Sequence, residues 1–185
     1  MKMKVAITLF TALCVTLTAS AQKYYTKSGL VHFFSDAKME DIKADNNSAS
    51  CVVDAGTGAM EWSLLNKGFT FESAFMQEHF NENYMESDKY PKSTFKGSIT
   101  NMSSINLKKD GTYNATVTGD LTMHGVTKNI TTNATFTVAG GKISCTSKFF
   151  VKPSDYGINI PGDKKDSISN NIEITVSGNL QELKK

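Results

Sequence analysis

The sequence predicts an all-β protein, folded as an eight-stranded antiparallel barrel with one inserted helix. Three observations support this prediction. Apolar and polar residues alternate with a period of two in eight segments, as expected for strands that bury one face. Only one segment has the period of a helix, and the connections between strands are short, which favours antiparallel neighbours. Eight such strands can close into a barrel whose interior holds a core or one elongated ligand.

The predicted strands span residues 23–35, 42–54, 59–67, 93–101, 113–123, 126–138, 143–151 and 168–180. The first is rich in aromatic and β-branched residues, which favour strands. The second is the weakest, because the polar run Asn46-Asn47-Ser48 lies within it. The last has the cleanest alternation, with Ile172, Ile174, Val176 and Leu180 on one face.

Residues 116–131 contain the clearest pair of strands. His124-Gly125 interrupts the alternation, and glycine can take the positive φ of a tight hairpin turn. Gly119 has no side chain to pack, which indicates a bulge, a bend or the close approach of another group. The apolar face of the first strand contains Val117, Leu121 and Met123.

The inserted helix is predicted within residues 72–82. Phe75, Met76, His79 and Phe80 form one helical stripe, and Glu72-Ser73 suits a first turn. A proline disfavours helical geometry at the residue before it, so we expect Pro91 to end any helix that continues that far.

The N-terminus predicts an export signal at residues 1–21, followed by a single barrel domain at 22–185. Two lysines precede a short apolar run, and Ala19-Ser20-Ala21 fits the small-residue cleavage rule. The run is too short to span a membrane. We therefore expect a periplasmic or secreted protein, cleaved after Ala21, without a transmembrane segment.

Composition argues against nucleic-acid binding. Removing residues 1–21 removes two lysines and no acids, so the formal net charge falls from +2 to +2 − 2 = 0. The chain contains no arginine, the favoured residue for bidentate phosphate and guanine contacts. A homodimer is a further expectation that the sequence leaves open.

No catalytic or metal-binding pattern stands out. Serines are frequent, but none lies in a Gly-x-Ser-x-Gly motif. His32, His79 and His124 have no ligand-like spacing, and His124 is predicted to serve the hairpin turn structurally. We expect no enzymatic activity, no metal and no cofactor other than a bound lipid.

Two cysteines remain after export, Cys51 and Cys145. They either form a disulfide, as an exported chain permits, or remain two buried thiols. In a meander their strands are not neighbours, which disfavours the disulfide.

The segment Gly119-Asp-Leu-Thr-Met-His-Gly-Val-Thr-Lys128 resembles the signature hairpin of the YceI-like family. Three further segments agree with that family in order: Phe33-Phe34-Ser35, residues 90–95 and residues 149–160. Residues 76–87 are similar to a compact exported branch of the family. The resemblance implies a lipocalin-like barrel with an apolar tunnel for polyisoprenoids or other long amphiphiles.

An elongated apolar ligand requires a continuous apolar wall, and flexible methionines and aromatic rings suit an isoprenoid chain. Polyisoprenoid, isoprenoid quinone and fatty-acid-like lipids all remain open as ligands. The alternative is a non-catalytic envelope protein that binds partners or serves structurally, with the same residues filling the core. The candidate lining residues are Phe33, Met60, Trp62, Leu64, Phe71, Phe75, Met76, Phe80, Met85, Phe95, Val117, Leu121, Met123, Phe136, Phe149 and Ile158.

Overall fold

Nine strands and one short helix follow one another in the computed structural model, which describes residues 22–184. The predicted export signal lies outside the described residues. The helix α1 spans Ala74–His79 and continues into a π-helical turn, Phe80–Tyr84. The strands are β1 Lys23–Asp36, β2 Asp41–Asp54, β3 Ala59–Leu65, β4 Thr70–Phe71, β5 Lys92–Ile99, β6 Gly111–Met123, β7 Val126–Ala139, β8 Lys142–Val151 and β9 Ile172–Glu182.

The eight long strands form one closed antiparallel barrel. Their order is β1-β9-β8-β7-β6-β5-β3-β2, and β1 pairs with β2 to close the ring. The predicted all-β, eight-stranded barrel with one helix is therefore confirmed. The two-residue β4, which the alternation does not predict, adds to the edge of β2 through the pair Ala44 and Phe71.

Most strand boundaries differ from the prediction by one or two residues, and the start of β9 differs by more. β3 ends at Leu65, because Asn66–Gly68 forms a 3-10 turn anchored by the Asn66 side chain, which donates to the Tyr90 carbonyl at 2.6 Å. β9 begins at Ile172, four residues later than predicted. At the end of β3, the hydrogen bond from the Asn66 side chain competes with the sheet ladder and ends the strand.

The helix is shorter than predicted and changes its winding. Ser73 is its N-cap and accepts from the Met76 N–H at 3.4 Å, in keeping with its predicted place in the first turn. The Asn81 side-chain amide donates to the Gln77 carbonyl at 2.9 Å, the acceptor of a regular α-helical bond to that position. The following turn widens to a π-helix and ends at Tyr84. The helical segment therefore does not reach Pro91.

The predicted hairpin is present in β6 and β7. His124 has φ 49° and Gly125 has φ 75°, the left-handed pair that a two-residue turn between twisted strands requires. Gly119 lies opposite Gly97 in regular register, without a bulge. Of the three explanations for Gly119, close approach is the one observed, because a Cβ there would collide with the β5 backbone at Gly97 and Lys96 and would lie 2.7 Å from Cζ of Phe95.

The two ends of the barrel differ in packing. At the packed end, where β1 begins and β9 ends, one apolar cluster includes Tyr24, Val53, Ile99, Val138 and Leu180. Two further clusters line the wall toward the other end. Within residues 22–184, no helix is long and apolar enough to cross a membrane.

Candidate ligand-binding cavity

A cavity of about 430 Å³ lies inside the barrel, between the packed end and the helical segment. Its size is within the range of small-molecule sites. The inward positions of the strands form its wall, since alternate side chains of a strand point to opposite faces. On β7, for example, Ile130, Ala134 and Phe136 face the cavity.

The structure brings all of the predicted lining residues to this one cavity. That they contact a ligand remains a prediction. The lining includes Phe33, Met60, Trp62, Leu64, Phe71, Phe75, Met76, Phe80, Met85, Phe95, Val117, Leu121, Met123, Phe136, Phe149 and Ile158.

Several lining residues were missing from the predicted set. On β9 the signal was present, because alternation placed Ile172, Ile174 and Val176 on one apolar face. For Phe69 and Ile160, which lie outside the long strands, the sequence contained no comparable signal. Their place in the wall depends on how the loops return to the barrel mouth.

Two serines of the wall are bonded within the protein. Ser93 Oγ donates to Asn66 Oδ1 at 2.8 Å, and Ser147 Oγ donates to the Asn133 carbonyl at 2.7 Å. Across residues 22–184 no buried side-chain nitrogen or oxygen lacks a hydrogen-bond partner. Most of the wall consists of aliphatic, aromatic and thioether side chains, so it is suited to apolar surface rather than to a polar ligand.

The helical segment and the loop at residues 152–171 border the mouth of the cavity. Phe80 packs there against three rings, at centroid distances of 5.0 Å to Phe71, 5.4 Å to Phe69 and 6.0 Å to Phe33. Phe75, one turn earlier, is 66% exposed. One face of the segment thus completes the apolar wall, while Phe75 lies at its outer rim.

The acidic, basic and phenolic side chains that line the cavity lie at this mouth. They include Glu40, His79, Tyr84 and Lys164. Burial, assisted by the nearby carboxylate of Asp163, raises the pKa of Tyr84, so its hydroxyl stays protonated and can donate. A polar headgroup would find its partners here rather than deeper in the barrel.

His124 ties the mouth segments to the hairpin. Its Nε2 lies 2.8 Å from Glu86 Oε2, its Nδ1 lies 3.1 Å from the Tyr156 carbonyl, and its ring packs on Tyr90 at 4.5 Å. Both acceptors are served when each ring nitrogen carries a proton, because a carbonyl and a carboxylate accept and do not donate. The predicted turn position is confirmed, whereas the contact with Glu86 had no sequence signal.

The other two histidines are held at separate places. His32 Nδ1 lies 2.7 Å from Asp45 Oδ1, and His79 Nδ1 lies 3.2 Å from Asn83 Nδ2. No group of three or more potential metal ligands occurs in the described part of the chain. Each histidine therefore has its own protein partner.

Cys51 and Cys145 are both free and buried, on the non-neighbouring strands β2 and β8. Burial raises the pKa of the Cys145 thiol to about 11 and that of Cys51 further still. The structure thus contains two protonated thiols in the core rather than a disulfide.

The fold and the site define this protein as an antiparallel β-barrel that encloses an apolar cavity. A helical segment lies at the mouth of the cavity. The model of the YceI-like domain matches residues 15–180. The chain belongs to the YceI-like family.

Curated relatives match part of the chain. A UPF0312 protein of Pseudomonas putida is 33% identical over 101 residues, which cover 51% of this chain and 48% of that protein. A UPF0312 protein of Pseudomonas fluorescens is 36% identical over 78 residues, covering 39% of this chain and 40% of that one. The chain thus spans less than half the length of the curated relatives it matches.

Solved structures share the fold at low identity. A polyisoprenoid binding domain from Saccharophagus degradans has a TM-score of 0.76 and 13% identity, over 88% of this chain and 99% of that chain. BcnA of Burkholderia cenocepacia has a TM-score of 0.67 and 16% identity, over 83% and 96%. The YCEI protein of Campylobacter jejuni has a TM-score of 0.62 and 19% identity, over 81% and 90%. At these identities the likeness shows the fold.

Proposed function

We propose that this protein binds a long apolar or amphiphilic lipid inside the barrel. The ligand is a polyisoprenoid, an isoprenoid quinone or a fatty-acid-like chain, with any polar headgroup at the mouth. One observation carries the proposal: a cavity of about 430 Å³ inside the barrel, lined mostly by aliphatic, aromatic and thioether side chains. Burial of apolar surface, at roughly 25 cal/mol per Å², would supply the affinity.

A structural neighbour supports this chemistry. The Saccharophagus degradans domain of the same fold is named a polyisoprenoid binding domain. Most of the residues that line the cavity in this chain have aliphatic, aromatic or thioether side chains, which suit a chain of methyl-branched units.

We expect binding without turnover. Nucleophilic catalysis needs a nucleophile, a base and an orienting group within hydrogen-bond reach of one another. Ser93 and Ser147, which line the cavity, instead bond to an amide and a main-chain carbonyl. The alternative function, an envelope protein with a filled core that binds partners or serves structurally, fits the packed end but leaves the cavity unexplained.

The experiment is lipid extraction from the protein purified from a bacterial envelope, followed by mass spectrometry. We expect about one lipid per chain, by the one-cavity argument. A purified protein free of lipid, which also fails to take up isoprenols or fatty acids added to it, would favour the partner-binding alternative. The Phe150→Ala variant serves as a control and should retain the same lipid as the wild-type protein, because Phe150 is 57% exposed and does not line the cavity.

Export belongs to the same proposal. We infer that residues 1–21 direct the chain to the periplasm or out of the cell, and that the mature barrel, residues 22–185, acts there alone or as a homodimer. The N-terminal sequence of the secreted protein tests this, with Gln22 expected first.

A further inference from the structure

We propose that lipid enters and leaves the cavity through a gap between β7 and β8, and that residues 152–160 form a strap that opens this gap. The inference rests on the proposed lipid binding and adds the route to the site. The ladder between the two strands stops short of the mouth, at the pair Ala134 and Ser147. Within residues 22–184, positions 126–133 of β7 pair with β6 alone.

The strands on both sides of the gap are otherwise paired up to the mouth. β6 and β7 pair as far as Met123 and Val126, and β8 and β9 pair as far as Val151 and Ile172. The gap is therefore a local opening in the wall, because each of its two edges is held by the strand behind it.

The gap opens directly on the cavity. Thr132 and Ser147, whose hydroxyls lie 3.3 Å apart where the ladder ends, both line the cavity. Nearer the mouth, Ile130 of β7 and Phe149 and Val151 of β8 line it as well. Apolar side chains at this place can separate without breaking a ladder of backbone hydrogen bonds, whose loss would leave polar groups unpaired.

The strap covers the gap from one edge to the other. It leaves the end of β8 as a 3-10 turn and reaches the turn between β6 and β7. Tyr156, which is 2% exposed, and Ile158 pack in one apolar cluster with Val126 and Ile130. A Cβ at Gly157 would lie 3.9 Å from Cγ2 of Val126. The strap thus completes the wall where the ladder is missing.

Few polar contacts hold the strap. The backbone N–H groups of Asp155, Gly157 and Ile158 donate to carbonyls within the strap itself. In the described part of the chain, one hydrogen bond joins the strap to the barrel, the 3.1 Å contact between His124 Nδ1 and the Tyr156 carbonyl. Segments with few such ties open at a lower free energy than core strands.

The opposite side of the mouth is held more firmly. Asn66 donates to the Tyr90 carbonyl at 2.6 Å and accepts from Ser93 Oγ at 2.8 Å. The ladder between β2 and β3 is also interrupted there, but β4 pairs with β2, and Asn46 Nδ2 donates to the Leu65 carbonyl at 2.9 Å. The strap is therefore the side of the mouth that opens with the fewest bonds broken.

The test is a reversible lock between Val126→Cys and Gly157→Cys. The Cβ atoms of a disulfide lie ~3.5–4.5 Å apart, which suits the close approach at this pair. Cys51 and Cys145 do not compete, because both are buried and burial raises the pKa of each thiol. The probe is cis-parinaric acid, a fluorescent fatty acid, followed by stopped-flow mixing and by transfer to phosphatidylcholine vesicles.

We expect the oxidised double variant to take up and release the probe about tenfold more slowly than the reduced one, because opening of the strap limits both rates. Reduction should restore them. Val126→Cys alone is the matched control, since it cannot form the bridge and Val126 does not line the cavity. Its rates should be the same under oxidising and reducing conditions.

A second variant loosens the strap instead of locking it. His124→Asn removes the bond to the Tyr156 carbonyl, so uptake and release should both rise about fivefold, as loss of one hydrogen bond would give. The affinity should stay unchanged, because a looser strap speeds both directions, whereas a lost wall contact would speed release alone.

The outcomes separate the two proposals. If wild-type protein binds neither cis-parinaric acid nor isoprenols, lipid binding itself is wrong. If the probe binds but the oxidised and reduced double variants exchange it at equal rates, the strap is not the route and this inference is wrong. Should the bridge not form, unchanged rates in His124→Asn would overturn the inference in the same way.

Discussion

At the scale of single residues, the left-handed backbone of His124 is accompanied by a second one. Glu86, its hydrogen-bond partner, has φ 42°, and the two are the non-glycine residues with positive φ in residues 22–184. Such conformations cost free energy and persist where surrounding contacts hold them. The side-chain bond between the two residues is one such contact.

Replacing His124 separates its side-chain contacts from its backbone conformation. His124→Asn keeps a residue that tolerates positive φ but removes the bonds to Glu86 and the Tyr156 carbonyl, so the free energy of unfolding should fall by about 1 kcal/mol. Glu86 is partly exposed, which keeps the expected loss small. Urea denaturation provides the measurement.

His124→Gly is the matched control, because glycine adopts positive φ without strain. A similar loss in this variant would assign the stability to the side chain. Should both variants unfold at the wild-type urea concentration, the contacts of His124 contribute nothing to stability.

The limits of sequence reasoning are visible in these residues. The turn at His124-Gly125 was predictable, since a break in strict alternation with a glycine is a local signal. The partner Glu86 lies 38 residues away, in the loop after the helical segment, where nothing local indicates a contact. Gly29 and Gly178 leave room for the Trp62 ring, a role that was equally hidden because the indole comes from another strand.

At the scale of elements, the segment from α1 through the π-turn combines two environments in one stripe. The spacing of Phe75, Met76 and Phe80 predicted a shared face, and all three line the cavity. Their exposure nevertheless differs, since Phe80 contacts three aromatic rings while Phe75 is mostly in solvent. Helical periodicity identifies a face but not how far along it the protein covers the helix.

This difference in exposure predicts that one substitution lowers stability and a similar one speeds lipid release. Phe80→Ala should lower the free energy of unfolding by about 3 kcal/mol, because it removes a ring packed in an aromatic cluster. Phe75→Ala should change it by less than about 0.5 kcal/mol but should speed release of bound lipid at the mouth. Denaturation and lipid transfer to vesicles are the two measurements.

A large loss of stability in Phe75→Ala with unchanged release would place Phe75 in the core rather than at the rim. Unchanged release in both variants would remove the helical segment from the path of the lipid.

At the scale of the whole molecule, strand count and antiparallel order followed from alternation and short connections. Closure into a barrel was predicted from the number of strands, but the register of the seam was not, because the pairing of β1 with β9 joins residues at opposite ends of the chain. Nor did the sequence indicate which half of the barrel is packed. Apolar inward residues occur along the whole length of the strands, and only the structure shows that the cavity occupies one half.

A barrel with a cavity in one half of its interior should depend on its ligand for part of its stability. Lipid at 100 times its dissociation constant would add about 2.7 kcal/mol, or a rise of roughly 5–10 °C in Tm for a chain of this size. We expect protein stripped of lipid by a hydrophobic resin to melt lower and to recover on adding palmitate. Equal melting before and after stripping would mean that the cavity is not occupied in the purified protein.

The pairing of the first and last strands also affects the order in which the barrel forms. β1 bonds to β2 early in the chain, but its second edge is covered only by β9, at Ile172–Glu182. Contacts between distant parts of a chain form slowly, and an uncovered strand edge invites pairing with other chains. The ring therefore closes last at this seam, and a nascent chain that lacks its final strand has two open edges and no enclosed cavity.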